Sequence, residues 1–190
     1  MTKPMNISYY SSYMIELVKH KQRINNSLIK KVDINYRDKN KRNALYWAIK
    51  NRSRYNMSLL IEHKIELMVT PQTHAIFYAL ESKNVEGLLL LLQHGVDLNS
   101  QNHKGQTPLM VALKNECILS VQYLLAYDAD LYIMDYNYDM AIDYAKRCKD
   151  KKIFELVYYK ELYEKIKDKD LNCVGCPIAK KSNCKIEKES

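Results

Sequence analysis

The chain has 190 residues, 47% of them hydrophobic, enough for a packed core in one or two domains. With 4 Gly and 4 Pro against 16 Tyr, it lacks the turn residues that sandwiches, barrels and long linkers need, so a mostly helical chain is expected. Thirty Lys and Arg against 22 Asp and Glu give a formal charge of +8, which favours acidic partners without choosing between protein, nucleic acid and anionic lipid.

In chain order, residues 1–36 read as a helical cap closed by Val32-Asp33-Ile34-Asn35. A first full unit, about 37–69, carries Asn43-Ala44-Leu45-Tyr46-Trp47-Ala48 and then the pair Leu60-Ile61. A second, about 70–102, places Ile76, Ala79, Leu91 and Leu92 before Gly95-Val96-Asp97-Leu98-Asn99. The third, about 103–135, is the clearest: Gly105-Gln106-Thr107-Pro108-Leu109-Met110-Val111-Ala112, then Val121, Leu124 and Leu125, then Asp128-Ala129-Asp130-Leu131. A closing unit, about 136–168, keeps Ile142, Ala145, Phe154 and Val157 but replaces Thr107 and Pro108 by Met140 and Ala141. The copies are 33 residues apart, except the first two, which a shorter loop brings to 31.

Each recurring position has a physical reason. Thr caps a helix, and Pro fits the first turn, where its missing amide costs nothing. The alanine must be small because neighbouring helices approach closely, and the paired leucines fill the space between successive units. One unit cannot bury both faces alone, so stacking creates the core. The closing unit's second helix, rich in charge and tyrosine from Tyr158 to Lys165, suits a last repeat with one face in water.

The turn, the T-P-L-H-x-A motif and the two helices resemble the ankyrin repeats, most closely over residues 74–135. The resemblance implies an all-α solenoid of helix-turn-helix units with short hairpin loops and degenerate terminal caps. The motif's histidine is Tyr46, Phe77, Met110 and Asp143 here, so the side-chain bonds that tie neighbouring loops in the family should be missing or replaced.

The resemblance further implies a partner-binding concave face made of loop tips and first helices. Carried over by position, it comprises Lys39, Asn40, Arg42, Lys50 and Asn51; Thr73, Glu81 and Ser82; His103, Lys104, Gln106, Lys114 and Asn115; and Tyr136, Asn137, Asp139 and Arg147. Trp47, beside Tyr46 at the edge of its helix, reads either as a contact anchor or as packing. Any one of these charges is equally well a plain solvated residue; their clustering is what suggests a face for another protein.

Residues 169–190 form a Cys- and Lys-rich tail. Cys173, Cys176 and Cys184 give a C-x2-C knuckle and a third thiolate. Zinc there needs a fourth ligand from elsewhere; an iron-sulfur cluster, a redox role and incidental thiols are the other readings, and no cofactor is assigned. The cysteine count of five is odd, with Cys117 and Cys148 placed inside expected helices, which argues against a disulfide framework.

The sequence contains no phosphate-cradling glycine loop, nucleophile elbow or H-E-x-x-H motif, and its paired aspartates, Asp128 with Asp130 and Asp135 with Asp139, fall in loops where a turn-forming role is the commoner one. No enzyme is expected. Nothing approaches the roughly 20 apolar residues of a membrane span, and the polar N-terminus is unlike a secretory leader, so a cytoplasmic monomer is expected. The Lys, Asn, Ile and Tyr bias fits an AT-rich bacterial or viral genome, where delivery into a host cell is conceivable. The leading reading is a non-catalytic adaptor, effector or inhibitor that binds an acidic protein; the alternative is a binder of nucleic acid or an anionic surface.

Overall fold

The computed structural model describes residues 6–172, with side chains to residue 167. Helices α1 (Ile7–Lys19) and α2 (Asn26–Ile29) open it, followed by four helical hairpins: α3 (Ala44–Lys50) with α4 (Arg54–Glu62), α5 (Ala75–Glu81) with α6 (Val85–Gln93), α7 (Pro108–Lys114) with α8 (Ile118–Ala126), and α9 (Ala141–Lys146) with α10 (Lys151–Asn172). Helices α1, α3, α5, α7 and α9 pack in succession as an inner row, and α4, α6, α8 and α10 form an outer row behind it.

The inner helices of the hairpins begin at equivalent positions, and in three of the four the residue ahead of the helix offers an acceptor to a free first-turn amide. Asn43 accepts from the Tyr46 amide at 3.1 Å, His74 from Ile76 at 3.3 Å and Thr107 from Met110 at 3.4 Å. Met140 cannot do this; there the Asp143 carboxylate instead accepts from the Met140 amide at 3.2 Å. Asn, His and Thr thus do one job at one repeat position.

The expected core is in place. Ala48, Ala79, Ala112 and Ala145 are each fully buried at the same point of the inner helices. Leu60, Leu91, Leu124 and Val157 are likewise buried in the outer row. Burying such a side chain contributes about 1.5–3 kcal/mol, and its repetition along the row makes one continuous core.

Successive hairpins are also tied by side chains that donate to the end of the preceding inner helix, where carbonyls lack helical partners. Asn51 donates to Val18 O at 2.8 Å, Asn84 to Ile49 O at 2.9 Å and Asn115 to Leu80 O at 3.0 Å. In the last hairpin the Cys148 thiol takes this place, 3.3 Å from Leu113 O. Cys117 and Cys148 therefore sit at helix ends rather than inside helices: Cys117 caps α8 and Cys148 follows α9. Both are free thiols, and burial, aided by Glu116 and Asp150, pushes Cys148 above its ordinary pKa.

Between hairpins the chain projects as fingers. Three share one device, a side-chain oxygen that accepts two backbone amides and closes the turn. Asp38 accepts from Asn40 and Arg42 at 2.8 and 3.0 Å, Asn102 from Lys104 and Gln106 at 2.9 and 3.0 Å, and Asp135 from Asn137 and Asp139 at 2.8 and 3.0 Å. The equivalent residue of the second finger is Val69, which has no such oxygen. That finger, two residues shorter, closes instead as an antiparallel pair, β1 (Met68–Thr70) with β2 (Thr73–His74). An otherwise helical molecule thus acquires a small two-stranded element.

Candidate partner-binding face

Hydrogen bonds of the lost motif histidine are replaced. Asn43, already a cap, donates from Nδ2 to Glu66 O at 2.9 Å and links the first finger to the second. Gln101 donates to Met134 O at 2.9 Å and links the third to the fourth. A longer chain runs from Gln106 Nε2 to the Tyr144 hydroxyl at 2.7 Å, and from that hydroxyl to Asp135 Oδ2 at 2.7 Å. Burial alone would raise the Asp135 carboxyl, but the Tyr144 hydroxyl and the Asp139 and Asn137 amides more than offset it, holding the carboxyl below its ordinary range. These bonds fix the fingers relative to the inner helices, so that what they carry is presented in one arrangement.

The carried-over residues divide accordingly. Lys39, Asn40, Lys50, His103, Lys104 and Lys114 are exposed, on the fingers or at the last turns of inner helices. Tyr136 is 70% exposed, with its ring over Gly105, where a Cβ would lie 2.6 Å from Tyr136 Cδ1. Asp139 is engaged by Arg147 in a bidentate pair at 2.7 and 2.8 Å.

Two expected contact residues are corrected. Gln106 is only 7% exposed and its amide is committed to Tyr144. Trp47 is 9% exposed; its indole donates to Asp38 Oδ2 at 3.1 Å, so it is packing beneath the face and not an anchor on it. Asn51 and Asn115 are likewise turned to the preceding hairpin, and the Ser82 hydroxyl donates to Tyr78 O at 2.7 Å.

What sequence reasoning missed lies around Trp47. Tyr46 meets the indole edge-on at 5.2 Å and stacks on Tyr78 of the next hairpin at 4.4 Å, 19° from parallel. Burial first, then the adjoining Tyr46 hydroxyl, pushes the Tyr78 phenol well above its ordinary pKa, against the opposing pull of Arg42. Lys19, Arg42 and Lys50, from three separate segments, stand 5.7, 5.4 and 5.0 Å from the indole centroid. A signal existed in the spacing of Tyr46, Trp47 and Lys50 along α3, with Arg42 just ahead of its cap; Lys19 could be added only once α1 was known to pack on α3.

A shallow groove of about 230 Å³ separates the second and third fingers, lined among others by Met68, His74, Phe77, Glu81 and His103. Burial lowers the His74 pKa against the opposing charge of Asp97. A second groove, about 310 Å³, lies between α7 and α9 against Lys114, Tyr144 and Arg147. Among the described residues no group of three or more His, Cys, Asp or Glu could hold a metal ion, and no helix is long and apolar enough to cross a membrane. Cys173, Cys176 and Cys184 lie outside the described residues.

Stacked two-helix units with projecting, mutually braced fingers define a helical-repeat scaffold. The family model for ankyrin repeats (3 copies) matches twice, over residues 14–102 and 76–170, and the chain belongs to the ankyrin-repeat family. Ankyrin repeats are in general protein–protein interaction modules and typically non-catalytic. No curated protein matches the chain.

Proposed function

We propose that this chain works as an adaptor, effector or inhibitor, without catalysis, by holding an acidic segment of a partner protein against its fingers and inner helices. The observation that carries the reading is the placement of Lys39, Lys50, Lys104 and Lys114, all exposed on these elements. Such charges steer encounter and set register more than they add affinity. Tyr136, braced over Gly105, and the neighbouring exposed Tyr138 would supply rigid aromatic contacts at the far end. A cytoplasmic monomer of bacterial or viral origin belongs to this reading, as does a tail whose Cys173, Cys176 and Cys184 await metal analysis on reduced protein.

The test is a pull-down with the full chain beside a charge-reversed variant at Lys39, Arg42, Lys50 and Lys104. Retention of an acidic protein by the first and not the second supports the reading. Sequence-tolerant binding of RNA or DNA that weakens steeply between two salt concentrations yet survives at physiological salt, with no such protein retained, would replace it by the nucleic-acid alternative.

A further inference from the structure

Arg42 and Lys50 form no ion pair with an acidic side chain among the described residues, although both pack on the Tyr46–Trp47 cluster. The nearby acid, Asp38, is already occupied by two backbone amides and the indole. Lys19 is paired with Glu16 at 3.0 Å on the exposed rim. Three cations standing within 5.7 Å of one indole centroid concentrate like charge that an incoming carboxylate would offset. The floor beneath them is rigid: the Arg42 guanidinium lies 4.6 Å from the Tyr46 centroid, and Tyr46 is pinned by Tyr78. A planar cation held in this way is preorganised for a carboxylate.

The row that continues from this cluster alternates in sign. Lys50 ends α3, Glu81 ends α5 and Lys114 ends α7, all exposed and at equivalent repeat positions. The next equivalent residue, Arg147, is already neutralised by Asp139. A polyphosphate strand would meet Glu81 in the middle of its path, whereas a peptide can place unlike charges where they are wanted. Packed helices are about 8–10 Å apart, and an extended chain advances about 3.3 Å per residue, so each step along the row corresponds to roughly three peptide residues.

We infer that the Lys19–Arg42–Lys50 cluster is the anchoring subsite for an aspartate or glutamate of an extended peptide, which sets a Lys or Arg against Glu81 and a second acid against Lys114. This rests on the protein-binding reading above and adds to it a position and a charge pattern: acid, then base about three residues on, then acid about six on.

Trp47 is the single tryptophan of the sequence, so its fluorescence reports on the subsite directly. The full chain is titrated with a synthetic acid–base–acid peptide of this spacing, with the sign-reversed peptide, with an all-acidic peptide and with a single-stranded oligonucleotide of similar length. Binding of the acid–base–acid peptide in preference to the other three is expected, with a change in Trp47 emission. Lys50→Glu should weaken it about tenfold or more, and Glu81→Lys should move the preference to the all-acidic peptide. The same affinity for every sign pattern, absence of peptide binding, or insensitivity to both substitutions overturns the subsite. Acidic-peptide binding that leaves Trp47 emission unchanged and is lost in Lys104→Glu overturns the subsite while leaving the protein-binding reading standing; preference for the oligonucleotide overturns both.

Discussion

The Gln106 amide donates to the Tyr144 hydroxyl at 2.7 Å, joining the third finger to the inner helix of the last hairpin. Removing that hydroxyl in Tyr144→Phe leaves the buried Gln106 amide without its partner and leaves Asp135 Oδ2 only the long contact from Asn137 Nδ2 at 3.5 Å. The loss should be about 1–3 kcal/mol of stability, read as a lower urea midpoint with an unchanged slope.

Alanine size along the inner row is a second quantity to test. Ala112 is fully buried between neighbouring inner helices, so Ala112→Leu should cost about 1–3 kcal/mol or more through overpacking. Ala126, exposed at the end of α8, provides the control: Ala126→Leu should stay within about 0.5 kcal/mol. Thermal unfolding of both variants beside the parent separates a packing effect from a general effect of leucine.

Gly105 adopts φ +74° under the Tyr136 ring. Gly105→Ala should therefore cost more than the roughly 1–2 kcal/mol that a side chain pays for a left-handed backbone. Gly105→Ala combined with Tyr136→Ala should recover only part of it, because the Tyr136 amide nitrogen is itself 2.7 Å from the added carbon. Denaturant midpoints of the single and double variants check this.

Acid should weaken the molecule in two stages. The folded pKa of His74 lies below its ordinary value of 6.5, burial being the main cause, and the ring accepts from the Ile76 amide only while Nδ1 is unprotonated. The unfolded state binds that proton first, so the His74 contribution is present above pH 6.5 and is lost as pH falls through the lowered folded value. Asp135, held below 3.8, contributes above that pH and loses its contribution below it. In His74→Asn, which keeps a capping oxygen, the first stage should vanish and the second remain, as read from urea midpoints on descending pH.

The period, the caps and the stacked alanines were legible because each is imposed by one unit meeting its neighbour at a fixed spacing. Ala48, Ala79, Ala112 and Ala145 recur whatever surrounds them. The fingers were less legible, since the fate of a polar side chain there depends on partners more than thirty residues away. Gln106 looked free until Tyr144, 38 residues on, was placed beside it, whereas Trp47, open between contact and packing, was decided by its nearer partner Asp38. Asp38, Asn102 and Asp135 do recur in register, and Val69 at their position marks the finger that closes as a strand pair; attention to that position alone would have located both. The cation cluster on Trp47 was only half visible, because Lys19 belongs to a helix with no counterpart in the repeat pattern.

Helix α10 runs for 22 residues where α4, α6 and α8 have 9 each. Lys160, bridged to Asp128 at 2.6 Å, marks the level at which α8 has ended. The 12 residues from there to Asn172 add about 18 Å at 1.5 Å per residue. Beyond that level α8 offers α10 no surface to pack on, which is why Tyr163 and Ile166 stand exposed while Val157, just before Lys160, is buried.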